Sequence, residues 1–265
     1  MSAIPPASWP AAKIVGRLAG DPALAARVSE ALGRLQDALA RYPDAAFASS
    51  FGAEDMVLLD LLERLGAAVD AFTLDTGRLP EETHALMQAA RTRYRLRVRA
   101  VAPDAAELEA FVAAHGPNPF YDSVALRKRC CEVRKLRPLA RALAGKTLWI
   151  TGLRREQSPT RGEVEVLARD QVHGLMKLNP LADWSAGDVG RYVGAFDVPV
   201  NALHARGFPS IGCAPCTRAV TPGEHERAGR WWWEAPEQRE CGLHVAPDGR
   251  LVRSRGPVQA AGAGG

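Results

Sequence analysis

The cysteines are the residues of this chain whose spacing points most directly to chemistry. Cys130 and Cys131 are adjacent, Cys213 and Cys216 form a CxxC motif, and Cys241 stands alone near the end of the chain. Four thiolates in two close pairs can bind a tetrahedral zinc ion or an iron–sulfur cluster. Adjacent cysteines on a helix point about 100° apart, so they converge better on a wide multi-iron cluster. We therefore expect the two pairs to be metal ligands.

Two other interpretations of the paired cysteines remain open. Cysteine is also a small buried hydrophobic residue, which suits isolated cysteines better than two tight pairs. A redox-active CxxC motif of the thioredoxin type should open a helix directly after a strand, whereas Gly212 and Pro215 place this motif in a loop. The odd number of cysteines argues against a framework of structural disulfides.

Cys241 lies in the motif ECGLH and is a candidate nucleophile. A free thiol has a pKa of about 8.5, so only a small fraction is the reactive thiolate at neutral pH. His244 and nearby arginines could increase that fraction, because positive charge stabilises the thiolate. Gly242 would let the thiol move between a substrate and a second redox partner. A surface cysteine without a role is the simpler interpretation of this position taken alone.

Three polar loops that follow predicted strands are candidates for binding an anion. The loop at 49–55 offers backbone N–H groups and two serine hydroxyls at a helix start, although it matches neither GxxxxGK[ST] nor GxGxxG. Loops at the carboxyl ends of parallel strands gather at one edge of a sheet, where ligands bind. We therefore expect these loops to bind a nucleotide with an anionic tail. The candidate contacts are Ser49, Ser50, Phe51, Gly52, Asp75, Thr76, Gly77, Arg78, Arg154, Arg155 and Arg161.

Strand-like and helix-like segments alternate along most of the chain. This alternation predicts one α/β domain with a mainly parallel sheet flanked by helices. The predicted strands are 45–48, 69–74, 96–101 and 147–151, with a hairpin at 163–168 and 172–177. Helices are predicted from 21, 56–65, from 80, 103–115, 123–143 and 184–196. We expect an N-terminal extension at 1–20, the α/β core at 21–200, a loop-rich cysteine segment at 201–253 and a disordered Ala/Gly-rich tail at 254–265.

Composition narrows the class of protein. The 265 residues carry a net charge of +4 that is spread along the chain, so we expect no nucleic-acid partner. No apolar run approaches the roughly 18 residues needed to span a membrane, and the first residues lack the pattern of a secretory signal. We therefore expect a cytoplasmic protein without a membrane partner. The sequence leaves homo-oligomerisation open.

Seven motifs in order resemble one known family. SFGAED, LDTGRL, KRCCEVRK, GLRREQSPTR, GCAPCTR, HERAGRWWWE and ECGLH, between about residues 45 and 245, resemble the assimilatory adenylylsulfate (APS) and phosphoadenylylsulfate (PAPS) reductases. The resemblance implies a fold similar to the adenine-nucleotide α-hydrolases, with SFGAED in place of a pyrophosphatase-type phosphate loop. The four paired cysteines match the members of the family that hold a [4Fe–4S] cluster and mostly prefer APS.

The same resemblance implies a mechanism. Cys241 would attack the sulfur of the activated sulfate, AMP or its 3′-phosphorylated form would leave, and thioredoxin or glutaredoxin would release sulfite from the thiosulfonate. Lys135 is similar to the family's cationic link between cluster and substrate. Arg227 and Arg230 are similar to its sulfate and phosphate contacts, and His244 follows the nucleophile. The resemblance thus implies a thioredoxin-dependent APS reductase of sulfate assimilation and cysteine biosynthesis.

Three alternatives stay open at this point. A PAPS or dual-specificity reductase would keep the same motifs. A zinc-binding nucleotide-binding or tRNA-sulfur-transfer protein would need an SGGxDS loop, from which residues 50–55 depart. A redox sensor would use the paired cysteines but would leave ECGLH unexplained.

Overall fold

A computed structural model describes residues 11–157 and 164–235, and within these ranges six strands form one sheet. The strand order is β3-β2-β1-β4-β6-β5. Four neighbouring pairs are parallel, and only the edge strand β5 runs antiparallel to its neighbour β6. The strands are β1 (Ala45–Ala48), β2 (Asp70–Leu74), β3 (Arg99–Val101), β4 (Leu148–Ile150), β5 (Leu167–Asp170) and β6 (Leu175–Leu178). The predicted α/β fold with a mainly parallel sheet is confirmed.

The central strands are apolar because helices cover both faces of the sheet. Side chains alternate between the faces, so Phe47 and Ile150 enter the larger core while Ala46 and Trp149 enter a smaller core on the opposite face. The helices are α1 (Ala11–Gly16), α2 (Pro22–Arg41), α3 (Ala53–Leu65), α4 (Glu81–Arg93), α5 (Ala105–His115), α6 (Val124–Cys131), α7 (Arg137–Leu143) and α8 (Ala186–Phe196). None of the described helices is long and apolar enough to cross a membrane.

Local sequence signals account for several helix ends. The side chain of Asp21 caps α2 by accepting the Leu24 N–H at 3.0 Å, and Pro22 occupies its first turn. Ser185 and Asp188 form a capping box at the start of α8. Helix α1 packs on α2 and places Ile14 in the core, so residues 11–20 of the predicted extension lie against the domain. The predicted tail at 254–265 lies outside the described residues.

Several predicted elements differ from the observed ones. The strand predicted at 96–101 is observed only at Arg99–Val101. The single helix predicted at 123–143 is interrupted by a π-helical segment at Glu132–Leu136. Pro138 has no N–H and its ring would clash with a carbonyl one turn earlier, which disfavours a regular α-helix there. The hairpin strands begin three or four residues later than predicted, because the turn closes on Gly174 at a φ of +70°. Helix α3 begins at Ala53, three residues before the predicted start at 56.

Candidate active site

A cavity of about 510 Å³ opens at the carboxyl ends of the central strands. It is lined by residues of all three predicted anion-binding loops, which leave β1, β2 and β4. We call it the nucleotide cavity. Of the predicted contacts, the structure places Ser49, Ser50, Gly52, Thr76 and Arg154 on its wall.

The first loop is held by its own carboxylate. Asp55 Oδ2 accepts hydrogen bonds from both the N–H and the hydroxyl of Ser50, each at 2.6 Å. Burial raises the pKa of Asp55 to about 6, although the two hydrogen bonds from Ser50 oppose this shift. A Cβ at Gly152 would overlap Asp55, so the loop after β4 can approach only with glycine there. Phe51 adopts a left-handed φ of +59°, and its side chain packs in the core.

Arg154 joins three segments of the nucleotide cavity. Its side chain is 3% exposed, and its Nε donates to Glu54 Oε1 at 2.7 Å. Its Nη2 lies 3.8 Å from Glu226 Oε2. Burial raises the pKa of Glu226, and the charge of Arg154 opposes that shift. Arg154 therefore neutralises two carboxylates on the wall of a cavity that is expected to bind an anion.

Two other predicted arginines have protein partners outside the nucleotide cavity. Arg78 donates to the carbonyl of Pro117 and, at 2.5 Å, to Oδ1 of Asn118. Arg155 donates to the carbonyl of Val164 at 2.9 Å and pairs with Asp183. These guanidinium groups connect loops to one another.

The second loop connects the nucleotide cavity to the cysteines. Asp75 Oδ1 accepts the Gly77 N–H at 2.9 Å, and Gly77 takes a left-handed φ of +69°. This turn leaves the Thr76 hydroxyl 3.3 Å from Cys213 Sγ. The carbonyl of Thr76 accepts a hydrogen bond from Arg134 at 2.7 Å. Arg161, from the third loop, lies outside the described residues.

Three cations line the nucleotide cavity, namely Lys135, Arg227 and Arg230. The family resemblance implied that Lys135 links cluster and substrate and that the two arginines contact the sulfate and phosphate. The guanidinium group of Arg230 lies 4.8 Å from the Trp231 ring centroid, and its Nη1 is 3.3 Å from the carbonyl of Ile211. A Cβ at Gly212 would overlap that guanidinium, so glycine is required for its placement.

A second, smaller cavity adjoins the first, and its walls carry all four paired cysteines. We call it the cysteine cavity. The cysteines are 6–9% exposed, with two at the end of α6 and two in the short 3₁₀ turn that follows Gly212. Phe120, Trp231 and Arg134 also line it, and Lys135 lines both cavities. Within the described residues, no group of three or more His, Cys, Asp or Glu side chains is placed to hold a metal ion.

The cysteine thiols differ in acidity. Burial raises the pKa of Cys130, and it raises the pKa of Cys216 to about 12. Burial also acts on Cys213, but there Lys135, the Thr76 hydroxyl and Arg230 outweigh it and the pKa is lowered. The thiolate is therefore favoured at the cysteine nearest the nucleotide cavity.

Comparison with known proteins identifies the family. Residues 44–219 match the family model described as the phosphoadenosine phosphosulfate reductase domain. The chain belongs to this family. It is 50% identical over 224 residues to a protein of Burkholderia cepacia named adenosine 5′-phosphosulfate reductase, covering 84% of this chain and 90% of that one. It is also 50% identical over 221 residues to the protein of that name from Allochromatium vinosum, covering 83% and 86%.

Solved structures agree with the family assignment. The crystal structure of the phosphoadenylyl-sulfate (PAPS) reductase of Candida auris, a phosphate complex, superposes with a TM-score of 0.63. It is 25% identical, and the match covers 72% of this chain and 90% of that one. Yeast FAD synthetase, in complex with FAD, superposes with a TM-score of 0.52 at 16% identity, covering 79% and 75%, and it shares the fold alone.

Several residues that shape this reductase-family site escaped the sequence analysis. Glu54 and Glu226 bind Arg154, Arg134 binds the Thr76 loop, and Glu234 pairs with Arg127. Apart from Arg154, which was proposed as a substrate contact, and Thr76, these residues went unassigned, although all of them except Arg127 lie within one of the seven motifs. Position within a motif was therefore the available signal. The proposed nucleophile Cys241 and its neighbour His244 lie outside the described residues.

Proposed function

We propose that this member of the phosphoadenosine phosphosulfate reductase domain family is an oxidoreductase that reduces APS to sulfite and AMP. The observation that carries the proposal is the shared wall of the two cavities, where Lys135 faces both a nucleotide-sized space and four buried cysteines. The names of the relatives at 50% identity support APS as the substrate. The reaction belongs to sulfate assimilation and cysteine biosynthesis, in a reducing cytoplasm that suits unpaired thiols.

The chemistry of this reaction explains why three cations line the nucleotide cavity. A thiolate that attacks an activated sulfate brings two anions together, and this approach is unfavourable without positive charge. Lys135, Arg227 and Arg230 supply that charge in a partly buried site, where solvent screens it less than on the surface. We assign the loop at 49–55 to the nucleotide phosphate, with its backbone N–H groups at the start of α3 as donors.

Cys241 is the proposed nucleophile, with His244 beside it in the sequence. Its sulfur forms a bond to the sulfate sulfur, and AMP leaves with the electron pair of the broken S–O bond. A thiolate of thioredoxin or glutaredoxin then attacks Sγ of Cys241, and sulfite leaves with the electron pair of the S–S bond. The second thiol of the reductant resolves the mixed disulfide, so the dithiol supplies both electrons.

We propose that Cys130, Cys131, Cys213 and Cys216 hold a [4Fe–4S] cluster. The residues present fit such a group, because four buried thiols line one cavity whose other walls are apolar or cationic. A cluster takes one thiolate per iron, so its ligands are spread more widely than those of a single ion. When bound, the cluster supplies fixed charge beside Lys135, while thiol exchange accounts for the electrons.

Reduction of PAPS, alone or together with APS, is the second candidate. It is favoured by the structural match to a PAPS reductase at 25% identity. Anaerobically purified protein should be given thioredoxin and either APS or PAPS, and sulfite release should be measured. We expect sulfite from APS and none from PAPS. Release from PAPS would keep the chemistry and overturn the substrate assignment, and release from neither would refute the proposal.

The variant Cys241→Ser provides the matching control. It should release no sulfite while keeping the iron content and the affinity for AMP of the unmodified protein. Loss of iron in this variant would show that the roles of the cysteines are misassigned.

A further inference from the structure

One ion pair is buried more deeply than any other described on the chain. Arg127 and Glu234 are 107 residues apart, and their side chains are only 1% and 3% exposed. Nε of Arg127 donates to Oε1 of Glu234 at 2.9 Å, and Nη2 donates to Oε2 at 2.7 Å. Two parallel bonds between a guanidinium and a carboxylate fix direction as well as distance.

This pair joins the two segments that carry the paired cysteines. Arg127 lies on α6, one turn before Cys130 and Cys131, and it lines the cysteine cavity. Its guanidinium lies 4.8 Å from the ring centroid of Trp231, and the backbone N–H of Trp231 donates to the carbonyl of Cys216 at 3.2 Å. The ion pair therefore connects the helix of the first cysteine pair to the turn of the second.

The turn that ends at Glu234 contains an unfavourable backbone conformation. Trp231 has a left-handed φ of +44°, an unfavourable conformation for a bulky residue that persists only where its surroundings hold it. The Glu234 N–H donates to the carbonyl of Trp231 at 2.9 Å and closes a turn between them. The pair thus holds a strained turn whose far end is Glu234.

Glu234 is also where the chain leaves toward the proposed nucleophile. Cys241 lies seven positions after Glu234, and seven residues span at most about 25 Å. The position of Glu234 therefore bounds the space that the Cys241 thiol can sample.

We propose that Arg127 and Glu234 are positioning residues, which set the origin of the Cys241 segment against α6 and so align the thiol with the substrate. This inference rests on the proposed function. Apolar side chains of similar size could fill the same volume, and such replacements of buried ion pairs are often neutral for stability. They would lack the direction of the two parallel hydrogen bonds, so alignment and stability are separable here.

The test uses the double variant Arg127→Met/Glu234→Leu, because either single change would leave an unpaired buried charge. The control is Asp60→Asn/Arg64→Met, which removes another buried ion pair, on α3, and keeps one of the two side-chain oxygens to which the Tyr94 and Tyr192 hydroxyls donate. For each protein, iron content, AMP affinity and the single-turnover rate of thiosulfonate formation on Cys241 should be measured, the last by intact-mass spectrometry with APS and no reductant.

We expect the Arg127→Met/Glu234→Leu variant to keep its iron and its AMP affinity but to form the thiosulfonate roughly 10- to 100-fold more slowly, since misplacement by about 1 Å costs that much. The Asp60→Asn/Arg64→Met control should react at the unmodified rate. An unchanged rate in the first variant would overturn the inference. Loss of iron there would mean that the pair only maintains the cysteine cavity, which also contradicts it. If the unmodified protein formed no thiosulfonate, the proposed function itself would fail.

Discussion

The nucleotide cavity and the cysteine cavity are adjacent, yet they are built in different ways. The nucleotide cavity lies where the topology of a parallel sheet puts it, among loops that leave β1, β2 and β4. The cysteine cavity depends on irregular backbone: a π-helical segment directly after Cys131, a 3₁₀ turn at Cys216 and a left-handed Trp231. The first cavity should therefore tolerate change in one loop, whereas the second depends on several cooperating constraints.

Removal of a single thiol from the cysteine cavity should have the largest effect. Cys213 is one of the four proposed cluster ligands, and it also contacts Thr76 at the border with the nucleotide cavity. We therefore expect Cys213→Ala to lose iron and sulfide together with turnover. Iron and sulfide analysis and the visible absorption spectrum check this outcome. Cys241→Ser is the control that should keep both. Full iron content in Cys213→Ala would show that the cysteine cavity tolerates the loss of one thiol, which would contradict its dependence on several cooperating constraints.

In the nucleotide cavity, the largest effect should come from Arg154. Arg154→Met would leave the partly exposed Glu54 and Glu226 without their buried partner, so we expect a loss of about 3 kcal/mol in the free energy of unfolding and weaker AMP binding. Arg155→Met is the matched control, since Arg155 is 38% exposed, and it should cost no more than about 1 kcal/mol. Urea denaturation measures both. Equal losses in the two variants would contradict the conclusion that Arg154 joins three segments of the nucleotide cavity.

The shared wall can be probed through one glycine. Gly212→Ala would push a Cβ into the Arg230 guanidinium, so we expect kcat/KM for APS to fall roughly 10- to 100-fold. Gly33→Ala, in helix α2 with open space around it, should instead stabilise the protein by about 0.5–1 kcal/mol. Sulfite release and thermal unfolding measure the two effects. Unchanged kcat/KM in Gly212→Ala would show that the reaction does not depend on the observed position of the Arg230 guanidinium.

The smallest effect should be a pH dependence of the phosphate loop. The pKa of Asp55 is raised from 3.8 to about 6 by burial. Folding therefore favours the protonated form of Asp55 relative to the unfolded chain, and this contribution to the free energy of unfolding is lost as the pH rises through 6. Relative to Asp55→Asn, the unmodified protein should lose about 1–3 kcal/mol between pH 4 and pH 7. Urea denaturation at each pH measures the difference.

Asp70 provides the opposite case as a control. Hydrogen bonds from Arg99 and Lys146 lower the pKa of Asp70 to about 2. Asp70 is therefore ionised in the folded and the unfolded protein above about pH 5. Its contribution to the free energy of unfolding falls only at lower pH. The stability difference between Asp70→Asn and the unmodified protein should stay constant from pH 5 to pH 7. If the stability of the unmodified protein relative to Asp70→Asn declined with pH as it does relative to Asp55→Asn, Asp55 would be ruled out as the source of the pH dependence.

Much of the fold was predictable because its signals are local. The apolar run at β1 matches the prediction, β2 and β4 lie within one residue of it at each end, and Ser185 with Asp188 forms a local capping box at the start of α8. The position of the anion site followed from topology, since loops at strand carboxyl ends must gather at one edge. The interruption after Cys131 was not predicted, because helical periodicity continues through 123–143 and the effect of Pro138 depends on how the chain accommodates it.

The sequence by itself determined the types of residue available for chemistry and the family to which the chain belongs. Cysteine pairs, basic motifs and loop composition are properties of the chain, and they can be read in order. Only the tertiary structure decided which charges pair with which. Arg154 binds Glu54 and Glu226, while Arg78 binds the loop at 117–118. Such pairings join residues that are up to about a hundred positions apart, and burial makes them selective because an unpaired charge is costly away from water.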